Sequence, residues 1–299
     1  MPLPVRSSAL RAIGRVLCFT LAIGLALAVL DPPLVRWAAI LTGAPSQGAS
    51  TNVLDSSVIL LRWIDVVLVM IVMLGAARLE HVPMGTAYGL PWRSNAATHV
   101  GAGMFAGVIA VGVVCGALVL AHALIPGSAL LPFGELVASG VRWAFAFLAV
   151  AALEELLFRG YALSTLARGI GFWPASVSLS LLFTAAHIRN AGETGMGLTA
   201  VFLFGMLFCA IVQRTGALWL GIGIHAGWDW AQSFLFGVPD SGTIARGRAI
   251  APTFSGFIWL TGGTAGPEGS AITIALLLSA LLMLTLPAFK RRREITVAG

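Results

Sequence analysis

Eight apolar stretches, each close to the length that crosses a bilayer, divide this chain. A helix needs ~20 mostly apolar residues to span the hydrocarbon core. The stretches fall at about 11–30, 57–79, 100–124, 136–165, 172–190, 196–213, 216–236 and 270–289. In lipid every backbone N–H and C=O must be satisfied within its own segment, which leaves the helix as the natural solution for such runs. The fold class expected is therefore all-α: a polytopic helix bundle of about eight transmembrane helices, multi-pass in the cell's inner (plasma) membrane, with lipid as its surrounding partner. Composition agrees, because only 10% of the 299 residues are charged and the mean hydropathy is +0.94, where a soluble domain is about 25% charged. The fifth and sixth stretches are short or interrupted by polar residues. In the first, Arg6, Arg11 and Arg15 precede the apolar run "VLCFTLAIGLALAVL", which resembles a signal peptide in outline, but with so many spans after it, it reads as a first membrane helix.

The net charge of +6 and pI near 10.2 raise the question of nucleic acid. The basic residues form no aromatic-interleaved patch, so no nucleic-acid partner is expected. They sit instead at the ends of apolar runs, where Lys and Arg mark the cytoplasmic side. Arg78 and Arg93 follow the second stretch, Arg168 the fourth and Arg214 the sixth, and the tail carries KRRRE. The loops after stretches one and three carry no Lys or Arg. The alternation places both termini in the cytoplasm. Arg246 and Arg248, in a loop that should lie outside, fit this less well. Cys18, Cys115 and Cys209 lie in apolar segments without C-x-x-C spacing and read as small buried hydrophobes. Trp92, Trp143, Trp173 and Trp259 fall near span boundaries, as interfacial anchors do. Trp228 and Trp230 neighbour a histidine and an aspartate and are candidates to line a site, although for each of these six tryptophans taken singly plain packing is the simpler reading.

A charge at mid-membrane costs at least a few kcal/mol, so ionisable residues there face the interior and find partners. Arg62 and Asp65 are three apart on one helix face and read as a structural pair. In "EELLFR", Glu155 and Arg159 are four apart, in the favourable order for a helical ion pair. Glu154 is then left over, about 100° around the helix, either as a general base or as one member of a structural triad. His187 closes "LFTAAH", with Phe183 on the same face. His225 opens "HAGWDW", with Asp229 one turn later, where a carboxylate can orient an imidazole or share a ligand with it. The economical arrangement is one shared, water-filled cavity holding Glu154, Glu155, His187, His225 and Asp229. Such a set can activate water and stabilise an oxyanion. Glu154, His187 and His225 are also a hydrolytic zinc ligand set, contributed by three helices rather than by an H-E-x-x-H motif. One mismatch stands: Glu154 lies near mid-span and His187 near the far end of its helix. Either a boundary is shifted by several residues or that helix is tilted or broken.

These motifs, in this order, resemble the CAAX prenyl protease and bacteriocin-processing (CPBP, Abi) superfamily of intramembrane endopeptidases. The resemblance rests on E-E-x-x-x-R at Glu154–Arg159, F-x-x-x-H at Phe183–His187 and H-x-x-x-D at His225–Asp229. It is joined by "FLFGMLFCAIVQRTGALW" and the loop "WLTGGTAGPEGS", and it covers about residues 85–290. It implies that Glu154 activates the attacking water with help from His187. His225 and Asp229 would polarise the scissile carbonyl, and Glu155 and Arg159 would be supports. Members are discussed both as zinc-dependent and as metal-free glutamate proteases. Aspartate at 229, where eukaryotic members usually have asparagine, would donate only if protonated; ionised, it suits a metal or an imidazolium.

The expected organisation is an N-terminal two-helix membrane segment, 1–84, and a protease core, 85–290. The expected function is hydrolysis of a peptide bond in a peptide or membrane-protein substrate. High Gly and Ala with almost no lysine suggests a high-GC bacterium, so ordinary prenylated substrates would not transfer. Two other classes remain: a proton-coupled transporter, since buried Glu, His and Asp also form relays, and a non-catalytic immunity or scaffold protein.

Overall fold

The structure is a computed structural model that describes residues 5–42, 53–55, 59–92, 95–190 and 192–286. Among these are eight long helices: α1 (Val5–Thr42), α2 (Arg62–Leu79), α3 (Ala96–Leu120), α4 (Phe133–Ile170), α5 (Phe172–His187), α6 (Gly195–Thr215), α7 (Trp219–Trp230) and α8 (Ala271–Thr285). They follow the eight apolar stretches in order. Residues Ala9–Leu30 of α1, together with α3, α4 and α6, are long and apolar enough to cross a membrane by length and composition. Helix α2 has the length but carries Arg62, Asp65 and Arg78, and α5 and α8 have 16 and 15 residues. Within α4, Leu156–Ala162 is a π-helix, and α7 continues as a second π-helical segment, Ala231–Leu235. Thr194 and Ser270 cap α6 and α8 by accepting from the N–H of Gly197 and Thr273, as short hydroxyl side chains do at N-caps.

Contacts sort the loops to two ends of the bundle. At one end the Glu80 carboxylate, after α2, accepts from Arg15 of α1 at 3.3 Å, and from Arg168 and Tyr161 of α4 at 3.0 and 3.1 Å. The turn between α6 and α7 joins this end, since Leu218 N donates to Gly89 O at 2.8 Å and Trp219 Nε1 to Pro91 O at 3.0 Å. Arg214, closing α6, donates to the Leu284 carbonyl at the end of α8. At the opposite end, short strands tie the odd-numbered loops together. Strand β1 (Val53–Leu54) pairs in parallel with β3 (Ile244–Ala245), and β2 (Leu124–Ile125) pairs antiparallel with β4 (Thr253–Phe254). Thr264 Oγ1 donates to Gly192 O at 2.6 Å, adding the loop after α5. Successive helices therefore alternate in direction, as the charge pattern requires. Arg93 and the KRRRE tail lie outside the described residues. Arg246, the misfit in that pattern, faces Asp55 at 3.8 Å.

Helix α7 packs most extensively along α3. Gly103 and Gly107 of α3 oppose Gly223 and Gly227 of α7. A Cβ on Gly107 would overlap the backbone of Ile224 and Trp228, and one on Gly227 the backbone of Met104. Small residues four apart let helix backbones close together where no hydrophobic drive exists between them. Helices α1, α2, α4 and α7 share one apolar cluster that includes Phe19, Met73, Tyr161 and Ile222.

Trp143 is fully buried and donates to Arg246 O at 3.0 Å, so the packing reading holds for it rather than the interfacial one; Trp92 is 89% exposed, as an anchor would be. One expectation, that all three cysteines are buried, needs correction. Cys18 is exposed on the outer face of α1, whereas Cys115 and Cys209 are buried.

The α3–α7 contact predicts a graded response. Gly107→Val should lower stability by about 1–3 kcal/mol, the usual cost of overpacking, read as a lower midpoint of thermal unfolding in detergent. Gly101→Ala, on the same helix but with open space at its Cβ, should leave the midpoint unchanged.

Candidate active site

Helices α4 and α5 meet at Gly171, whose φ of 90° turns the chain with no Cβ in the way. Glu154 lies seventeen residues before that corner and His187 sixteen after it. At ~1.5 Å per residue both stand about 25 Å from the corner, hence at the same height. The edge-on contact of Phe158 with Phe183, at 5.1 Å between ring centres, shows the register directly. The apparent mismatch between mid-span and helix end arises because α4, 38 residues long, runs far past the end of its short partner.

At that height Glu155 is completely buried. Its Oε1 accepts from Arg159 Nη1 at 3.1 Å and from His225 Nδ1 at 3.2 Å. The rest of the Arg159 guanidinium lies over aromatic faces, 4.4 Å from the centre of Phe183 and 5.6 Å from that of Phe208. Such desolvated cation–π contacts are worth ~2 kcal/mol. Phe208 also stacks on the His225 ring at 5.2 Å with 17° between planes. Because a carboxylate only accepts, Nδ1 of His225 carries the hydrogen, and Nε2 points the other way, 3.6 Å from both Glu154 Oε2 and Asp229 Oδ2. At 3.6 Å these are electrostatic neighbours, not hydrogen bonds. His187 Nδ1 donates to Phe183 O at 2.8 Å, which leaves its Nε2 unengaged by that bond.

A cavity of about 360 Å³ lies beside this cluster, and Glu154, His187, His225 and Asp229 all line it. The four predicted catalytic residues thus face one space. Glu155 does not line it: it sits behind His225, a correction to the expectation that all five would share the cavity. Arg62 forms its pair with Asp65 at 2.6 Å and also borders the cavity. Trp228 borders it too, while Trp230 donates to Gly140 O at 2.9 Å and packs elsewhere.

Two acids in the cavity wall were not anticipated. Asp240 and Glu268 come from the long loop after α7. Ser233 Oγ donates to Asp240 Oδ2 at 2.8 Å, and Ser241 donates through N and Oγ to Glu268 Oε1 at 2.8 and 3.0 Å. Burial pushes the Asp240 carboxyl up to about 6. Burial, with repulsion from Asp240 and Glu193, holds Glu268 well above the usual carboxylate range. Each sits in a Pro/Gly-rich turn, "VPDSG" and "GPEGS"; the turn is the only signal the sequence offers for Asp240, while Glu268 lies in the loop 259–270 that already joined the family resemblance.

Among the described residues no three His, Cys, Asp or Glu side chains are placed to hold a metal ion. As the side chains stand, Glu154, His187 and His225 do not fit a zinc ligand set.

Residues 137–231 match the family described as Rce1-like, type II CAAX prenyl endopeptidase Rce1-like. That segment is an Rce1-like domain. It contains the whole Glu154–Glu155–Arg159, His187 and His225–Asp229 cluster and stops before Asp240 and Glu268. No curated protein and no solved structure matches the chain. The chain is a membrane protein with a helical fold that carries a protease-family domain.

Two outcomes test this site as physical chemistry. Arg159→Ala leaves the Glu155 carboxylate buried without its guanidinium and should cost about 3–5 kcal/mol, seen as a lower unfolding midpoint. Glu154→Gln, at a site with 25% of the side chain exposed, should move that midpoint little. The raised carboxyl of Asp240 has a definite sign. The folded state holds a proton there that the unfolded chain releases near pH 4, so its contribution to stability should fall as pH rises from about 4 to about 6. The unfolding midpoint followed across that range should drop less steeply in Asp240→Asn.

Proposed function

We propose that the chain is an intramembrane endopeptidase that hydrolyses a peptide bond with water activated by Glu154. The observation that carries this reading is the convergence of Glu154, His187, His225 and Asp229, from three separate helices, on one cavity within an Rce1-like domain. A scaffold has little need for that convergence, because lipid penalises each of these groups.

In this mechanism a water in the cavity loses a proton to the Glu154 carboxylate as its oxygen attacks the scissile carbonyl carbon. His187, held by its Nδ1–H bond to Phe183 O, offers Nε2 to orient that water. The carbonyl oxygen becomes an oxyanion. His225, doubly protonated, presents Nε2–H toward it. Asp229 and Glu155, each within 3.6 Å of a ring nitrogen, stabilise the imidazolium. Asp229 is therefore assigned as partner of the imidazolium rather than as a second donor. Collapse of the tetrahedral intermediate breaks the C–N bond, and protonated Glu154 returns its proton to the leaving amine. Glu155 and Arg159 fix the ring and do not meet the substrate. No step uses a metal.

The test is cleavage of peptide libraries by purified protein in detergent. Glu154→Gln should lower the rate about 10²–10⁴-fold, the usual worth of a positioned base, with the fold intact by circular dichroism. Cleavage should persist in strong chelator. Equal cleavage by Glu154→Gln and the parent would remove the base assignment. Stoichiometric zinc that is lost in His187→Ala would replace the metal-free steps. A folded parent that cleaves no member of the library would favour the scaffold reading.

A further inference from the structure

A second pocket, of about 200 Å³, lies between α1 and the last two turns of α4. It is lined by Arg11, Ala12 and Arg15 from α1 and by Thr165, Arg168 and Gly169 from α4. It shares no lining residue with the cavity beside Glu154. Ala12 and Gly169 are small and buried, so the three guanidinium groups surround a hollow rather than a packed seam. At about 30 Å³ per water, the hollow takes several waters or one phosphate group. No carboxylate lines it.

The nearest acid, Glu80, is already satisfied. Its Oε1 accepts from Arg15 Nη1 at 3.3 Å and from Tyr161 at 3.1 Å. Its Oε2 accepts from Arg168 Nη2 at 3.0 Å and from Tyr88 at 3.3 Å. A carboxylate offers about four acceptor sites, whereas a guanidinium carries five N–H donors. Arg15 and Arg168 reach Glu80 through one nitrogen each, and their side chains stay 57% and 46% exposed. Thr165 Oγ1 accepts one further bond from Arg168 Nη2 at 3.3 Å. Three cations therefore share one filled carboxylate, and the pocket is rich in donors and poor in acceptors. That chemistry suits an anion with several oxygens, such as a phosphate ester, which takes charge-assisted bonds from arginine forks.

What lies along α1 below the pocket selects among phosphates. Arg11, Arg15, Cys18, Ala22, Leu25 and Val29 recur at intervals of three and four, so they share one helix face. Cys18 and Ala22 are exposed, and Leu25 and Val29 are 68% and 70% exposed. All lie in Ala9–Leu30, the part of α1 apolar enough to cross a membrane. From Arg15 to Val29 is fourteen residues, about 21 Å at ~1.5 Å per residue, which is longer than one leaflet of a ~30 Å hydrocarbon core. A cationic pocket continuous with an exposed apolar stripe matches a molecule that carries phosphate at one end and acyl chain at the other. A soluble phosphate would leave the stripe unused. A headgroup bearing an ammonium would set a like charge beside the guanidinium groups.

We infer that this pocket binds the phosphate of an anionic phospholipid, with its acyl chain along the α1 stripe. Basic pockets between membrane helices are suited to such headgroups. Arg168 lies inside the Rce1-like segment 137–231 and α1 lies outside it, so the lipid bridges the first helix to the domain.

The test is the unfolding midpoint of the full chain in detergent, titrated with phosphatidylglycerol, phosphatidylcholine or inorganic phosphate at equal concentrations. Phosphatidylglycerol should raise the midpoint by several degrees, because it binds the folded state alone, and the other two should leave it in place. Arg11→Gln removes a pocket charge without touching Glu80, and should require about five-fold more phosphatidylglycerol for the same rise, the worth of one basic residue toward anionic lipid. Arg78→Gln, on an exposed residue in the last turn of α2 outside the pocket, should respond as the parent does. A reading that needs no variant is native mass spectrometry of the parent from mixed micelles, which should show one phosphatidylglycerol retained in preference to phosphatidylcholine. No rise with phosphatidylglycerol, or equal effects and equal retention of the two lipids, overturns the proposal. Equal weakening in Arg11→Gln and Arg78→Gln also overturns it, since diffuse surface charge would then account for binding. A full rise with inorganic phosphate overturns the lipid as occupant in favour of a soluble anion.

Discussion

A single carboxylate that never meets solvent organises the polar cluster of this protein. Glu155 binds Arg159 one turn along its own helix and His225 on α7. An ion this deep is costly to desolvate unless its partners are well placed. Here the guanidinium, the imidazole and the aromatic faces of Phe183 and Phe208 provide that placement. The consequence is positional. Once Nδ1 of His225 is committed to Glu155, Nε2 is directed toward Glu154 and Asp229. The adjacent glutamate, turned about 100° around the helix, is then left to face the cavity.

That arrangement requires α7 and α5 to reach the right height, and two features of the chain set it. The glycines at 103, 107, 223 and 227 let α7 lie against α3 at backbone contact. The corner at Gly171 makes α4 and α5 a hairpin in which equal residue counts mean equal depth. Both helices that carry acidic motifs pass into a π-helical segment directly afterwards, at Leu156–Ala162 and Ala231–Leu235. Such segments are rare and concentrate at functional sites.

Much of this was legible in the sequence because lipid makes polarity conspicuous. Each ionisable residue in an apolar run announces itself, so Glu154, Glu155, Arg159, His187, His225 and Asp229 stand out without any structure. The order of helices followed from the apolar runs for the same reason. What spacing does not encode is tertiary burial. Trp143 sits at a boundary by sequence, yet it lies beneath a loop that returns from a hundred residues away. Cys18 is apolar in context, but it is on an exposed face of its helix. Asp240 and Glu268 were not singled out, although the Glu268 loop joined the resemblance, because acids in Pro/Gly turns are ordinary on loops, and only the fold shows that this loop covers a cavity. The π-helical segments have no signature in hydropathy at all.

Side chains from three helices share one cavity, and the catalytic reading depends on that convergence. The most direct measurement is an experimental structure in a lipid nanodisc, at a resolution that places carboxylates and imidazoles. It should show Glu154, His187, His225 and Asp229 lining a common solvent-filled cavity, with Glu155 behind His225 and bonded to both Arg159 and the ring. A map in which His187 turns to lipid, or in which packed hydrocarbon separates Glu154 from His225, would contradict it.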